Sequence, residues 1–313
     1  MSKALILTDG KAGHENQSKA FARALGCEFD LVPVAFKSKF AKTLSYLLDN
    51  LGIHTPRLFN CQPPTDSYQL IIGTGSGTFY AAKTLAQQLG IPCGVVLYPR
   101  GYRISTFDCI LAPAFDSPKP APNVIPIPVN LVAADADFYA AGVKAFRERH
   151  PDTGRPAVAV IVGGPNKCST MTPEWMRKQL ESIFTDHRTE RGDSTALPEF
   201  WVTTSRRTPP EVEAVVDSFP FDYKLLYSKD HFNPIPAFVQ LASTLYVTAE
   251  STGMISESCT FGTAEVHVLD NLKPGPHKFR RFVEDLASGG YVNGARKVDL
   301  SEQFSRARKL LEI

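Results

Sequence analysis

At 313 residues the chain is long enough for about two domains. Its 43% hydrophobic content supplies ample core, and a net charge of +2 is too near neutral to argue for a nucleic-acid partner. The six cysteines show no Cys-x-x-Cys pair and no Cys/His ligand spacing, which sets aside a disulfide frame and a zinc site.

The predicted elements alternate. Ala4–Leu7 reads as a strand, Glu15–Leu25 has helical spacing, and Phe29–Val34 is a second strand. Phe36, Phe40, Leu44, Leu47, Leu48 and Leu51 then recur at helical spacing with Lys37, Lys39 and Lys42 between them. A helix packed on its own sheet is the expectation there, with an anionic membrane or an apolar acceptor groove as the alternative. Leu70–Ile72 is a strand and runs into Gly73-Thr-Gly-Ser-Gly77, with a helix over Thr78–Leu89 and short strands at Cys93–Leu97 and Cys109–Ala112.

The polar, turn-rich stretch Arg147–Pro156 predicts a domain boundary, giving residues 1–150 and 151–313. Ala157–Val162 is wholly apolar, as a strand covered on both faces should be. Strands follow at Phe200–Thr203, Lys224–Tyr227, Leu245–Thr248 and Val266–Leu269, with helices over Thr172–Phe184, from Ile255, and over Glu302–Leu311. His187–Pro198 is a polar insertion expected to be a mobile loop. Strand–helix alternation of this kind implies parallel sheets, hence an α/β protein of two Rossmann-like domains with a site between them. No apolar run approaches the ~20 residues of a membrane span. Met1-Ser-Lys leads directly into a strand, so a cytoplasmic protein is expected.

Four segments carry candidate chemistry. In Asp9-Gly-Lys-Ala-Gly-His-Glu-Asn-Gln-Ser18, an imidazole at His14 could take a proton from an attacking hydroxyl, with Asp9 or Glu15 orienting it or serving instead. Capping of the following helix is the plainer account of that histidine. Gly163-Gly164-Pro165-Asn166-Lys167 frees backbone N–H groups near a lysine, which suits a diphosphate, although an ordinary strand-to-helix turn would look similar. Thr203-Thr-Ser-Arg-Arg-Thr-Pro209 sets Ser205 and two arginines after a strand. A guanidinium pairs with phosphate through two bonds, and adjacent side chains diverge, so Arg206 is assigned the ligand and Arg207 a structural part. In Val247–Glu257, Ser251, Thr252 and Gly253 open a helix whose N–H groups favour phosphate, and Glu257 lies one turn on, where it could hold a ribose. The plainer account of Glu257 is a carboxylate complementing the helix dipole. Gly73–Gly77 lacks the full dinucleotide or P-loop spacing and reads as close strand–helix packing, with lining of the acceptor side of a cleft as the secondary possibility.

These motifs, with Tyr98-Pro-Arg100 and Phe107-Asp108, resemble the mitochondrial fission ELM-type family along nearly the whole chain. Glu250 stands where that family more often has aspartate. The set also resembles the GT-B glycosyltransferases, especially the enzyme that adds N-acetylglucosamine to a lipid-linked muropeptide. The resemblance implies a GT-B-like fold with an N-terminal acceptor domain, a C-terminal nucleotide-sugar domain, an interdomain cleft and a last helix returning to the first domain. It implies His14 near the acceptor and Glu257 on the donor ribose. The expected function is an inverting glycosyltransferase, metal-independent because backbone dipoles and arginine can neutralise the leaving group. No cofactor beyond the nucleotide-sugar co-substrate is expected. The expected acceptor is a cell-envelope or lipid-linked glycan, with peripheral contact at the inner face of the cell membrane. A nucleotide-sugar epimerase or hydrolase, or a non-catalytic adaptor, are the alternatives.

Overall fold

Buried apolar strands and amphipathic helices sort the chain into two α/β units. The computed structural model describes residues 2–62, 66–189, 197–294 and 296–313. One unit is Met1–Ala133 with Asp299–Ile313, and the other is Ala134–Val298.

The first unit runs β1 (Lys3–Thr8), α1 (Ala12–Leu25), β2 (Glu28–Pro33), β3 (Ala35–Phe36), α2 (Lys39–Asn50), β4 (Phe59–Asn60), β5 (Leu70–Thr74), α3 (Phe79–Leu89), β6 (Cys93–Val96), β7 (Cys109–Pro113) and β8 (Val124–Ile127). Its main sheet is parallel in the order β2-β1-β5-β6-β7-β8. Leu5, Leu7, Ile71, Val95 and Ile110 bury one face of that sheet with Phe79 and Tyr80 of α3. The strand order reverses between β1 and β5, and the carboxyl ends of strands at such a point are where α/β sheets bind ligands.

Helix α2 departs from expectation. Its inward face is Ala41, Ser45 and Asp49, while Phe40 and Leu47 stand 74% and 58% exposed, followed by Leu51 at 63%. Phe36, Tyr46 and Leu48 of this segment pack partly against that core. The cause is a buried ion cluster. Asp49 accepts from Lys83 Nζ at 2.7 and 2.9 Å and from the Arg103 N–H at 2.6 Å, and His54 Nε2 lies at 3.0 Å. A buried carboxylate satisfied this fully fixes the rotation of the helix more firmly than its apolar stripe does.

The second unit runs α4 (Ala136–Arg149), β9 (Ala157–Ile161), α5 (Pro173–Thr189), β10 (Glu199–Thr203), α6 (Pro210–Ser218), β11 (Tyr223–Leu225), α7 (Ile235–Leu241), β12 (Thr244–Thr248), α8 (Thr252–Thr260), β13 (Glu265–Leu269) and α9 (Lys278–Ser288). Its sheet is parallel in the order β11-β10-β9-β12-β13, the nucleotide-binding order of a Rossmann half, and it reverses between β9 and β12. Met176, Leu180 and Ile183 of α5 pack with Val158, Val160, Phe200 and Val202.

The polar stretch Arg147–Pro156 lies inside this unit, because α4 precedes it and anchors there. Phe146 is fully buried, 5.0 Å from the Trp201 ring and 5.8 Å from the Phe238 ring. The chain passes between units at Ala133–Ala134 instead. Helix α10 (Ser301–Leu311) belongs to the first unit, where Arg306 donates to the Pro122 carbonyl at 2.7 Å and Leu311 is buried. Of the insertion at His187–Pro198, residues 187–189 finish α5 and 190–196 lie outside the described residues. Among the described residues no helix is long and apolar enough to cross a membrane.

Candidate functional site

Each reversal point carries one cluster of candidate residues. In the first unit, β1 delivers Asp9 and the start of α1 delivers His14. His14 Nδ1 lies 3.1 Å from both Asp9 oxygens. A carboxylate at Nδ1 holds the proton there and leaves Nε2 as the basic nitrogen. Lys11 Nζ also reaches Asp9, at 2.8 Å. Burial pushes the Asp9 carboxyl up, but the Lys11 and His14 contacts outweigh it and leave it below its ordinary range.

The glycine loop after β5 proves to be the floor of this pair. Gly75 has φ of +81°, and a Cβ there would sit 2.4 Å from His14 Cε1. A Cβ on Gly77 would sit 2.7 Å from Asp9 Cβ. The loop is glycine-rich so that the dyad fits against it. Glu15 is drawn away. It takes Lys19 Nζ at 2.6 Å and the Thr8 hydroxyl at 3.3 Å, and the Lys19 bond holds its carboxyl below the usual range. That leaves Glu15 engaged by Lys19 and Thr8 and outside the His14–Asp9 pair.

In the second unit the loops after β9, β10 and β12 meet. The Gly163 N–H donates to Thr248 Oγ1 at 2.9 Å, and Thr208 Oγ1 donates to the Gly163 carbonyl at 2.6 Å. A Cβ on Gly163 would lie 2.0 Å from Ser251 Oγ, and one on Gly164 2.2 Å from the Arg207 carbonyl oxygen. These two glycines therefore admit the chain's own neighbouring loops. Both arginines are exposed; Arg207 closes on Gly164 through its carbonyl and Cβ, and Arg206 lines a cavity of about 250 Å³ with Ser205, Tyr227, His231, Asn233 and Met254. Ser205 itself is bound into its turn, its N–H donating to Thr208 Oγ1 at 2.9 Å. Asn166 caps its own turn, accepting from the Cys168 N–H at 2.7 Å, and Lys167 is exposed.

Ser251 precedes α8 but does not cap it. Its hydroxyl goes to Glu250 Oε1 at 3.0 Å, and that buried carboxylate also accepts from Thr248 at 2.9 Å and Asn271 at 2.7 Å. The first N–H groups of a helix have no intrahelical partner. At α8 they face no side-chain cap from Ser251, and a Cβ at Gly253 would meet nothing within 4 Å. One turn further, Glu257 Oε1 accepts from the Tyr139 hydroxyl at 3.1 Å. Burial raises the Glu257 carboxyl above its ordinary value, and the Tyr139 bond opposes that rise. Tyr139 lies on α4, 118 residues upstream, and its ring packs 5.0 Å from that of Phe261. Sequence reasoning missed it, together with the helix that carries it. Asp135-Ala-Asp137 was overlooked as an Asp-x-Asp triplet, and it opens that helix, with Asp135 accepting from the Phe138 N–H at 2.9 Å.

A larger cavity of about 610 Å³, bordered by Lys83, Cys93, Asp108 and Ile313, lies in the first unit. It sits at the amino ends of β5 and β6, away from the strand ends that carry His14 and Asp9.

No curated protein matches the chain in sequence. Among solved structures, the UDP-GlcNAc 2-epimerase from Methanocaldococcus jannaschii is similar at 12% identity, covering 100% of this chain and 99% of that one, with a TM-score of 0.52. The UDP-GlcNAc 2-epimerase from Neisseria meningitidis bound to UDP-GlcNAc is similar at 12% identity over 99% of this chain and 92% of that one, with a TM-score of 0.51. A weaker likeness, with a TM-score of 0.47 and 9% identity, extends to E. coli ADP-heptose lps heptosyltransferase II over 99% of this chain and 98% of that one. The fold is thus GT-B-like, two Rossmann-type units in one chain. The family described as Mitochondrial fission ELM1 matches residues 12–311, and the chain belongs to that family.

Proposed function

We propose that the protein is an inverting, metal-independent glycosyltransferase that takes a nucleotide-sugar donor and a cell-envelope or lipid-linked acceptor at the cytoplasmic side of the membrane. The observation that carries this reading is the uncapped start of α8, one turn before a raised carboxylate at the reversal point of the second sheet. The N–H groups of Thr252 and Gly253 and the Arg206 guanidinium would receive the donor diphosphate. The second oxygen of Glu257 would accept from the ribose, and the cavity beside Arg206, with Tyr227 and His231 rings 4.5 Å apart, has room for the base. Gly163 and Gly164 let the loops carrying Ser251 and Arg207 approach, and Ser205, Asn166 and Lys167 would complete the diphosphate site.

In the reaction, the acceptor oxygen attacks the anomeric carbon as its proton passes to His14 Nε2. The bond from that carbon to the diphosphate oxygen breaks, and the negative charge it leaves is stabilised at α8 and Arg206. Asp9 holds the imidazole and supports its positive charge.

The test is a thermal-shift screen of nucleotide-sugars with and without magnesium, on the parent and on Glu257→Ala. UDP-sugars come first, because the similar Neisseria epimerase is bound to UDP-GlcNAc. Ligand at a hundred times its Kd stabilises by about 2.7 kcal/mol, which is readily seen. A magnesium-independent shift lost in the variant supports the reading, and no shift from any nucleotide defeats it in favour of an adaptor. Conversion of the donor without acceptor would instead identify an epimerase or hydrolase.

A further inference from the structure

We propose that the outward face of α2 docks on an anionic membrane surface. Phe40, Leu47 and Leu51 recur at helical spacing and are 74%, 58% and 63% exposed, and Ile53 beside them is 48% exposed. Their exposure follows from the buried Asp49–Lys83 pair, which turns the polar side of the helix inward. Large apolar side chains exposed together along one helix mark an interaction site.

Charge selects the occupant. Between Ala35 and Leu58 the chain has one acidic residue, Asp49, and it is buried against Lys83. The remaining charged side chains there are Lys37, Lys39, Lys42 and Arg57, and Lys37, Lys39 and Arg57 are exposed. An apolar stripe whose exposed charged neighbours along the chain are all cations fits the headgroup boundary of a bilayer bearing anionic lipid, where the helix lies in the plane. The 12 residues of α2 would present a footprint about 18 Å long.

The docking face is also wired to the dyad. Lys42 Nζ donates to Ser76 Oγ at 2.9 Å, and the preceding Gly75 lies against the His14 imidazole. A lipid-linked hydroxyl held at this surface would be close to its base. That consequence rests on the transferase reading, but the docking itself rests on the surface alone.

The experiment is co-sedimentation of the full chain with vesicles of phosphatidylcholine alone and of equal parts phosphatidylcholine and phosphatidylglycerol, with sedimentation velocity of the protein without lipid. The parent is expected to bind the anionic vesicles, to ignore the neutral ones, and to weaken as salt shortens the screening length from about 10 Å at 0.1 M to about 3 Å at 1 M. Lys37→Glu with Lys39→Glu, and separately Phe40→Ser with Leu47→Ser and Leu51→Ser, should each lower the partition coefficient at least about tenfold. Both variants change exposed side chains, so unchanged circular dichroism and nucleotide-induced thermal shift are expected alongside. Absence of anionic-vesicle binding by the parent overturns the proposal, as does binding that survives both variants. A parent dimer made monomeric by the serine variant also overturns it, by assigning the face to a second copy. Loss of nucleotide response with vesicle binding intact would defeat the transferase reading and leave this one standing.

Discussion

His14 Nδ1 lies 3.1 Å from both carboxylate oxygens of Asp9, and the two side chains rest on a loop whose Gly75 and Gly77 leave them room. The carboxylate therefore sets which nitrogen is basic. Asp9→Asn keeps the shape but can offer its N–H₂ to Nδ1 and reverse the tautomer. Turnover in that variant should fall by about 10²–10⁴, as it should in His14→Gln, with donor affinity nearly unchanged. The double variant should be little worse than either single one, because the pair acts as a unit. Steady-state rates with donor Kd measured separately check this, and multiplicative losses would show that the two residues act independently. The Lys11 and His14 contacts of Asp9, which together outweigh its burial, are also a stability device. Asp9 is held below its ordinary value of 3.8, so its contribution is present above that pH and is lost as pH falls through the lowered value.

Glu257 behaves in the opposite sense. Its carboxyl is raised above 4.5, mainly by burial, so the fold favours its protonated form. Stability from this group is present below 4.5 and is lost as pH rises through the raised value. Donor binding needs the carboxylate, so donor Kd should rise as pH falls through that same raised value. Glu257→Gln should remove this acid limb and weaken binding by about 10–100-fold, the worth of a charged hydrogen bond. Tyr139→Phe deletes the one contact that opposes the rise, so the limb should move to higher pH. Titrations of Kd against pH on the three proteins decide it, and an unmoved limb in Tyr139→Phe would remove the tyrosine from the site.

The glycines separate packing from ligand approach. A Cβ on Gly164 would fall 2.2 Å from a backbone oxygen, so Gly164→Ala should destabilise the second unit by about 1–3 kcal/mol with or without donor. Gly253 lies in the first turn of α8 with nothing within 4 Å. Gly253→Ala should leave the free protein unchanged or up to about 1 kcal/mol more stable, from helix propensity. If the diphosphate approaches there, it should nonetheless lose donor affinity. Melting curves with and without nucleotide distinguish the two substitutions, and unchanged donor affinity in Gly253→Ala would move the diphosphate elsewhere.

Several of these relationships were legible in the sequence and others were not, for identifiable reasons. Ala157–Ile161 is apolar throughout because both faces of β9 are covered, and its end was visible as the place for a loop. The motifs at Asp9–Ser18 and Val247–Glu257 were visible because each joins a strand to a helix. The contact between Gly73–Gly77 and the dyad was not, since it depends on β5 lying beside β1, a fact of strand order. Helix α4 was missed because its 14 residues bury only Tyr139 and Phe146, too few to make a stripe. Gly163 and Gly164 read as a diphosphate site or an ordinary strand-to-helix turn, and what the sequence does not show is that a Cβ on either would meet Ser251 or Arg207. Nothing in the local sequence announces that a distant loop has come that close.

The orientation of α2 is the case where pattern and packing conflict most directly, and it leads to the last prediction. Asp49 and Lys83 have fully buried side chains, and removing one leaves the other charged and unpaired. Burial lowers the Lys83 pKa, and the Asp49 bonds resist that shift. Lys83→Met should therefore destabilise the first unit by about 3–5 kcal/mol, and Asp49→Asn should do so comparably. The double substitution Asp49→Leu with Lys83→Met should recover part of the loss, because no buried charge is left unpaired, while His54 Nε2 and the Arg103 N–H lose their acceptor. Recovery of stability need not restore the rotation of α2. With Asp49 gone, the helix is free to turn Phe40 and Leu47 inward, as its hydrophobic pattern alone would have it. Chemical-denaturation midpoints give the energies, and the reactivity of a cysteine placed at Leu47 reports the rotation. A double variant as stable as the parent with that cysteine protected would show that the ion pair, and not the rest of the packing, keeps the apolar face outward.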